Sequence, residues 1–249
     1  NLSYGAGSLT GGVTSNLTIG TGSDITLNAI ANGLNNFNTS RNITLGADLT
    51  VNGTLTLTAG SFTVGTRTLT LNGPTIAGTP ANLVTAATSS LIFGGTTAGV
   101  LIPTSVVALN GLSITNTNII TLQSSLTISG TFNPAGAGLS IGANTLTLNG
   151  IINCGILVGG ATSNIIIGGG GAASLPGVIL NNLTVNRAVT LCGNVTVGGT
   201  LTLGSGALSI AANTLTLSDA ANLSYGAGSL TGGVTSDLTI GTGSDITLN

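Results

Sequence analysis

The chain lacks lysine, glutamate, histidine, methionine and tryptophan, and its 249 residues include only three arginines and five aspartates. Charged residues make up 3% of the chain, whereas an ordinary domain is about 25% charged. Little is therefore left for general acid–base catalysis. The net charge of −2 offers no basic surface to nucleic acid. We expect no enzyme, no catalytic, cofactor-binding or metal-binding residues, no cofactor and no nucleic-acid partner.

The few acid–base candidates that remain do not cluster in the sequence. Asp24 and Asp245 are copies of one repeat position, and so are Tyr4 and Tyr225. Long apolar runs are also absent, although the mean hydropathy is +0.60. Glycine, asparagine, serine, threonine or proline interrupts each run before the roughly 18 residues that a spanning helix needs. We expect no membrane span.

The residues that are abundant favour β-strands. Apolar–polar–apolar triplets recur with their central threonines six or seven residues apart, at Thr44, Thr50, Thr56, Thr63 and Thr70. The same pattern returns over residues 189–217. Alternation with a period of two predicts strands with one buried face, and the glycine and asparagine between them predict tight turns. No segment has a helical apolar period.

The chain contains a repeat within a repeat. Residues 1–28 recur as residues 222–249, an offset of 221, with Asp237 in place of Asn16 as the single difference. A Thr-Ser segment divides this long unit, because it recurs at Ser15, Ser89, Ser163 and Ser236, in steps of 74, 74 and 73 residues. We interpret the long unit as three modules, at about 15–88, 89–162 and 163–235.

Short strands at a regular spacing, joined by tight turns, predict an all-β chain. The predicted fold is a β-solenoid (parallel β-helix) with about 18–25 residues per coil, continuous over residues 1–249 and essentially without helix. Leucine, isoleucine and valine would point inward and threonine outward. The less regular residues 20–39 are expected to form a longer side or a protruding loop.

Asparagines recur at the predicted turns and suggest two roles. They could stack as side-chain ladders between coils, or they could simply tolerate a left-handed turn conformation. The positions concerned are Asn52, Asn72, Asn144, Asn149 and Asn213.

The cysteines and arginines allow more than one interpretation. Cys154 and Cys192 could form a disulfide in a secreted chain, but we favour two buried, small apolar side chains. Arg41 and Arg187 occupy the same position in the first and third modules, at an offset of 146. We expect them to pair with nearby acids such as Asp48, and such pairs contribute little at a surface.

Two patterns suggest binding sites. Residues 20–24, GTGSD, resemble part of the calcium-binding β-roll nonapeptide, but the motif is not in tandem, so we interpret it as a turn. Threonine pairs separated by one residue resemble the flat arrays of β-solenoid antifreeze proteins. These pairs are Thr54 and Thr56, Thr68 and Thr70, Thr145 and Thr147, Thr200 and Thr202, and Thr214 and Thr216.

Phrases such as LNNLTVNR at residues 180–187 and ANTLTLNG at residues 143–150 resemble very large, repetitive bacterial surface proteins. These are the Thr/Asn/Gly-rich, adhesin-like kind of secreted chain. The resemblance implies an extracellular or cell-surface location and a structural or adhesive role, and it carries over no catalytic residue.

The sequence therefore leads to a functional hypothesis with two alternatives. We expect a segment of an extracellular bacterial fibre, a rigid β-solenoid that associates with itself end to end or laterally. The first alternative is the stalk of a large cell-surface adhesin, in contact with the cell surface or another surface. The second is an ice-binding protein that uses the threonine pairs.

Overall fold

Residues 9–244 form a parallel β-solenoid of about 12 turns in the computed structural model, which describes these residues. The predicted fold is confirmed. About 1% of the chain is helical, a 3₁₀ turn at Pro80–Asn82. Among the described residues, no helix is long and apolar enough to cross a membrane.

The strands are two to four residues long. The first twelve are β1 (Leu9–Thr10), β2 (Leu17–Ile19), β3 (Ile25–Leu27), β4 (Ile30–Ala31), β5 (Phe37–Thr39), β6 (Ile43–Leu45), β7 (Leu49–Val51), β8 (Leu55–Leu57), β9 (Phe62–Thr63), β10 (Thr68–Leu71), β11 (Ala77–Gly78) and β12 (Leu83–Val84). The next eleven are β13 (Ser90–Phe93), β14 (Leu101–Ile102), β15 (Ala108–Leu109), β16 (Gly111–Ile114), β17 (Ile120–Leu122), β18 (Leu126–Ile128), β19 (Phe132–Asn133), β20 (Leu139–Ser140), β21 (Thr145–Leu148), β22 (Leu157–Val158) and β23 (Asn164–Ile167). The last eleven are β24 (Ser174–Leu175), β25 (Val178–Leu180), β26 (Asn182–Val185), β27 (Val189–Leu191), β28 (Val195–Val197), β29 (Thr200–Leu203), β30 (Ala207–Ser209), β31 (Thr214–Leu217), β32 (Asn222–Tyr225), β33 (Ser229–Thr231) and β34 (Asp237–Ile240).

Successive strands lie on three faces in a fixed order, so every three strands complete one turn. Face A holds β1, β4, β7, β10, β13, β16, β19, β24, β27, β30 and β33. Face B holds β2, β5, β8, β11, β14, β17, β20, β22, β25, β28, β31 and β34. Face C holds β3, β6, β9, β12, β15, β18, β21, β23, β26, β29 and β32. Between β21 and β22, Ile152 takes the place of a strand on face A and bridges Phe132 and Ala173.

Coil length varies because the corners differ. Paired residues are 23 apart where Thr214 pairs with Asp237, and 16 apart where Ser174 pairs with Thr190. The shortest coil is therefore shorter than we expected. Only Pro176 and Gly177 separate β24 from β25, and only Asn181 separates β25 from β26, so two tight corners shorten this coil.

Residues 20–39 do not protrude, so that expectation is wrong. Leu17 pairs with Phe37 and Ile25 pairs with Ile43, steps of 20 and 18 residues that match the other coils. The sequence of this stretch is irregular because its inward residues do not follow a strict alternation. Leu27, Ile30 and Leu34 are nevertheless all buried.

One continuous apolar column fills the solenoid. It consists almost entirely of leucine, isoleucine and valine, with four fully buried phenylalanines at Phe37, Phe62, Phe93 and Phe132. Phe37 and Phe62 meet edge to face, with ring centroids 5.7 Å apart. The strands show the predicted burial, since the outer residues of Ile43–Leu45 are buried and the central threonine is exposed.

The modules rotate around the axis. The Thr-Ser segments precede β2, β13, β23 and β34, and each step from one to the next adds eleven sides once Ile152 is counted. Eleven sides are one fewer than four full turns, so equivalent segments lie on faces B, A, C and B again. Three modules make 33 sides, or eleven turns. The 221-residue unit is thus the length after which the equivalent segment returns to its original face.

Replacing Phe37 with alanine should cost about 3–5 kcal/mol, because it leaves a cavity against Phe62. Neighbour-only contacts keep the effect local in a solenoid, so hydrogen exchange should accelerate in β5, β8 and β9 but not in β29. The matched control is Thr44→Ala, an exposed position expected to change stability by less than about 0.5 kcal/mol. Uniform loss of protection along the whole solenoid would contradict this prediction.

Candidate functional site

Ionisable side chains are few among residues 9–244. No group of three or more histidine, cysteine, aspartate or glutamate side chains in this range could hold a metal ion. Asp24 is exposed, and its carboxylate accepts a hydrogen bond from Asn42 Nδ2 at 3.0 Å. Tyr4 and Asp245 lie outside the described residues. That the chain is not an enzyme stays a prediction. The side chains that make specific hydrogen bonds between coils lie mainly at the corners.

In three of the four Thr-Ser segments, the serine fastens a corner to the coil before it, at Ser89, Ser163 and Ser236. Ser89 and Ser163 are buried. The Ser89 hydroxyl donates to the carbonyl of Gly65 at 2.6 Å and accepts from the Ala86 amide at 3.0 Å. Ser163 makes the same two bonds, to the Gly142 carbonyl at 2.5 Å and from the Gly160 amide at 3.0 Å. We call this arrangement the serine corner.

The residue whose carbonyl accepts the serine hydroxyl has a left-handed backbone. Its φ is 64° at Gly65, 60° at Gly142 and 55° at Ala211, whose carbonyl accepts from Ser236. Glycine adopts this conformation freely, whereas a Cβ makes it costly. The sequence located the serines as module markers but missed this role. The available signal was the glycine about one coil upstream of Ser89 and Ser163.

Arg41 binds the backbone of the preceding coil. Its guanidinium donates to the carbonyl of Ser23 at 3.1 Å and also to the carbonyls of Gly20 and Thr21. The expected pairing with Asp48 is wrong, because these carbonyls occupy the guanidinium and Asp48 Oδ1 accepts from a backbone amide, that of Thr68, at 2.8 Å.

The loop that resembles a calcium β-roll is therefore an arginine-binding turn. Its carbonyl oxygens face Arg41, in agreement with the turn interpretation. Gly22 has φ 148°, and a Cβ there would lie 2.7 Å from the arginine Nη2. Glycine at this position thus leaves room for the guanidinium.

In the other two modules, Asn116 and Arg187 occupy the position equivalent to Arg41. Arg187 is 8% exposed and donates to the carbonyls of Gly170 and Gly171 at 2.5 and 2.7 Å, and to that of Gly150 two coils away. Burial lowers the pKa of Arg187 from its ordinary value, because desolvation disfavours the charge. In the middle module the buried Asn116 donates from Nδ2 to the Gly94 carbonyl at 2.7 Å. We call these three side chains the corner plugs.

The predicted asparagine ladders are confirmed in part. Asn72 Nδ2 donates to Asn52 Oδ1 at 2.9 Å. Asn144 and Asn213 instead each donate to two backbone carbonyls, one of them in the preceding coil. Asn149 contributes its backbone carbonyl, which accepts from a glycine amide at 3.1 Å. Left-handed backbone is not the reason for these asparagines, since none of the five has a positive φ.

Two further ladders stand where strands begin. Asn36 Nδ2 donates to Asn16 Oδ1 at 2.9 Å, and Asn36 Oδ1 accepts from the Thr54 amide at 2.7 Å. On face C, Asn182 links Asn164 and the Thr200 amide in the same way, at 2.9 and 2.8 Å. Each ladder joins three consecutive coils, so it adds side-chain bonds along the axis to those of the backbone.

Cys154 and Cys192 form a disulfide, with their Cα atoms 6.2 Å apart. The interpretation as two buried apolar side chains is wrong, because both residues are exposed. They follow Ile152 and β27 at the corner between faces A and B, two coils apart. The intervening coil starts at β24 and is the shortest of the solenoid. The bond therefore joins non-adjacent coils across it.

The threonine pairs are spread over all three faces. Thr68 and Thr70 lie on face A, Thr54 and Thr56 on face B, and Thr145 and Thr147 on face C. The remaining pairs lie on faces B and C.

No protein family matches this chain, and neither a curated protein nor a solved structure is significantly similar to it.

Replacing Ala211 with glycine should be neutral or stabilising by up to about 1 kcal/mol, because relief of the left-handed strain offsets the added freedom of the unfolded chain. Ala207→Gly, in strand β30, is the matched control and should destabilise by about 0.5–1 kcal/mol. Denaturant unfolding of both variants measures the difference. Equal losses in the two variants would argue against a strained serine corner at Ala211.

Replacing Arg187 with alanine should destabilise its coils by about 3 kcal/mol, because buried carbonyls lose a charged donor. Arg67→Ala removes an exposed arginine and should cost less than about 0.5 kcal/mol. Hydrogen exchange of the amides near Gly150 and Gly170 measures the local effect. The corner plug would be refuted as a stabilising element by similar small changes in both variants.

Proposed function

We propose that this chain is a structural segment of an extracellular bacterial filament whose shaft is the solenoid. The observation that carries the proposal is the agreement between the repeat and the coil. Residues 17 and 238 begin equivalent segments one long unit apart, and they lie on the same face after eleven turns. Tandem units can therefore follow one another along a single axis without a change of face.

The bonds along the axis support a mechanical role. Serine corners, corner plugs and asparagine ladders all join one coil to its neighbour and add to the parallel backbone bonds. With 3% charged residues, the chain avoids columns of like charge that would repel at the spacing of the coils. These features favour a stiff rod over a site for a small molecule.

Two observations support a location outside the cell. Disulfides persist mainly in oxidising compartments, and Cys154 and Cys192 are bonded. The resemblance of the sequence to repetitive, secreted bacterial surface proteins points to the same location.

An adhesin stalk is the second candidate, because the same rod could hold a binding head away from the cell. Ice binding is the third and has weaker support. Known arrays of this kind occupy one flat face, whereas the threonine pairs here are divided among three faces. A thermal-hysteresis assay tests ice binding directly.

Tandem 221-residue units should form rods that repeat every eleven turns, about 53 Å at roughly 4.8 Å per turn. Cryo-electron microscopy of a four-unit chain measures this repeat. Deletion of residues 89–162 from every unit leaves about 22 sides, so each unit should rotate the next by one face. The true repeat should then need three units, or 22 turns, about 106 Å. An unchanged face in the shortened array, or coils broken at each junction, would refute the geometry.

The cellular role needs a separate measurement. Antibodies against the 221-residue unit, applied to intact cells of the source organism, should decorate long filaments along their whole length. Labelling confined to short surface stalks with unlabelled heads would favour the adhesin. Labelling that appears only after the cells are permeabilised would overturn the extracellular proposal.

A further inference from the structure

Each module presents one nearly uncharged patch of sheet. On face A, strands β7, β10, β13, β16 and β19 hydrogen-bond in register. On face C the equivalent strands are β18, β21, β23, β26 and β29. We call these patches array A and array C. Face B carries the equivalent strands β28, β31 and β34 at one end of the described chain, and β2, β5 and β8 at the other.

The two arrays have matching outward side chains. One column of array A is Thr50, Thr70, Ile92, Ser113 and Asn133, and the equivalent column of array C is Thr127, Thr147, Ile166, Thr184 and Thr202. Small polar residues therefore surround a central isoleucine in both. Ile92 is half-buried and Ile166 is 36% exposed. The second column of array C, from Ser125 to Thr200, is also uncharged, whereas that of array A begins at the exposed Asp48, whose carboxylate accepts from the Thr68 amide.

The area of one array limits what it can bind alone. Five coils at about 4.8 Å and four residues at about 3.3 Å enclose roughly 300 Å². A stable protein–protein interface needs about 800 Å² from each partner. A single array thus falls short, but the same face presents another array in every tandem unit. Two long rods could align several arrays at once, and linked weak contacts multiply in strength.

We propose that the arrays are lateral docking faces for a second copy of this chain, and that every rod docks neighbours on three sides. The proposal rests on the filament function proposed above. A nearly uncharged surface that repeats with every coil suits a partner that repeats in the same way, and a second rod provides one at the same axial spacing of about 4.8 Å. Because each array lies one face further around the axis than the array before it, all three sides of a long rod carry arrays. The rods should therefore pack into three-dimensional bundles rather than two-neighbour ribbons.

Chains of one, two and four tandem units test the dependence on length. The concentration at which rods bundle should fall at least tenfold with each doubling of length, since avidity gains are on the order of 10²–10⁴. Sedimentation measures the bundling, and cryo-electron microscopy counts the neighbours of each rod. Bundling that is independent of length, or rods with only two neighbours, would overturn the proposal.

Array variants test the surface itself. Ile92→Lys with Ile166→Lys in every unit places like charges opposite one another at each contact, and four-unit rods should then stay single at more than tenfold higher concentration. The matched control is Ile119→Lys, which changes a 43% exposed isoleucine outside both arrays and should leave bundling unchanged. Retention of the 4.8 Å spacing verifies folding.

The outcomes separate this inference from the filament proposal. Single rods that never bundle, or bundles equally resistant to the array and control variants, would overturn the docking faces and leave the filament standing. Rods that stay apart but bind ice or a carbohydrate surface would also overturn docking to a second copy. If tandem units fail to form rods at all, the filament proposal itself is wrong.

Discussion

The parallel backbone ladder between successive coils is the constraint on which the rest of the structure depends. It places each residue directly against the one about 20 positions later, at a spacing of about 4.8 Å. Whatever occupies a position must therefore tolerate its own kind one coil away. Leucine and isoleucine satisfy this requirement inside, and threonine and asparagine satisfy it outside. Columns of like charge do not, and this explains why the chain is almost free of ionisable side chains.

The corners supply what the ladder cannot, a fixed length and direction for each turn. Ser89 and Ser163 do so with one hydroxyl, which donates to a carbonyl of the preceding coil and accepts from the amide three residues earlier in its own corner. Arg41, Asn116 and Arg187 do so by filling the carbonyl-lined space between coils. The arginine is retained at two of these corners because its fork of donors can satisfy several carbonyls at once. The same position accepts asparagine where fewer carbonyls converge.

The mismatch between eleven sides and three faces gives the molecule its larger symmetry. A module with twelve sides would place every equivalent segment on one face and make a rod with one special side. Eleven sides distribute each feature over all three faces in turn. This arrangement accounts for the spread of threonine pairs, and it is the basis for expecting a filament whose lateral contacts are the same in three directions.

The sequence by itself determined the strands, their inward and outward residues and the long repeat, because alternation and spacing are local properties of the chain. Strands such as Ile43–Leu45 and Val189–Leu191 lie where their triplets predicted. Tertiary structure alone decided the partners of Cys154 and Arg41. The two cysteines meet because two particular coils sum to 38 residues, and that length depends on the tightness of each corner. Arg41 binds backbone carbonyls, which every residue possesses, so residue types alone do not identify its partners. The face on which each module lies is likewise a tertiary property, because it depends on how many sides complete one turn.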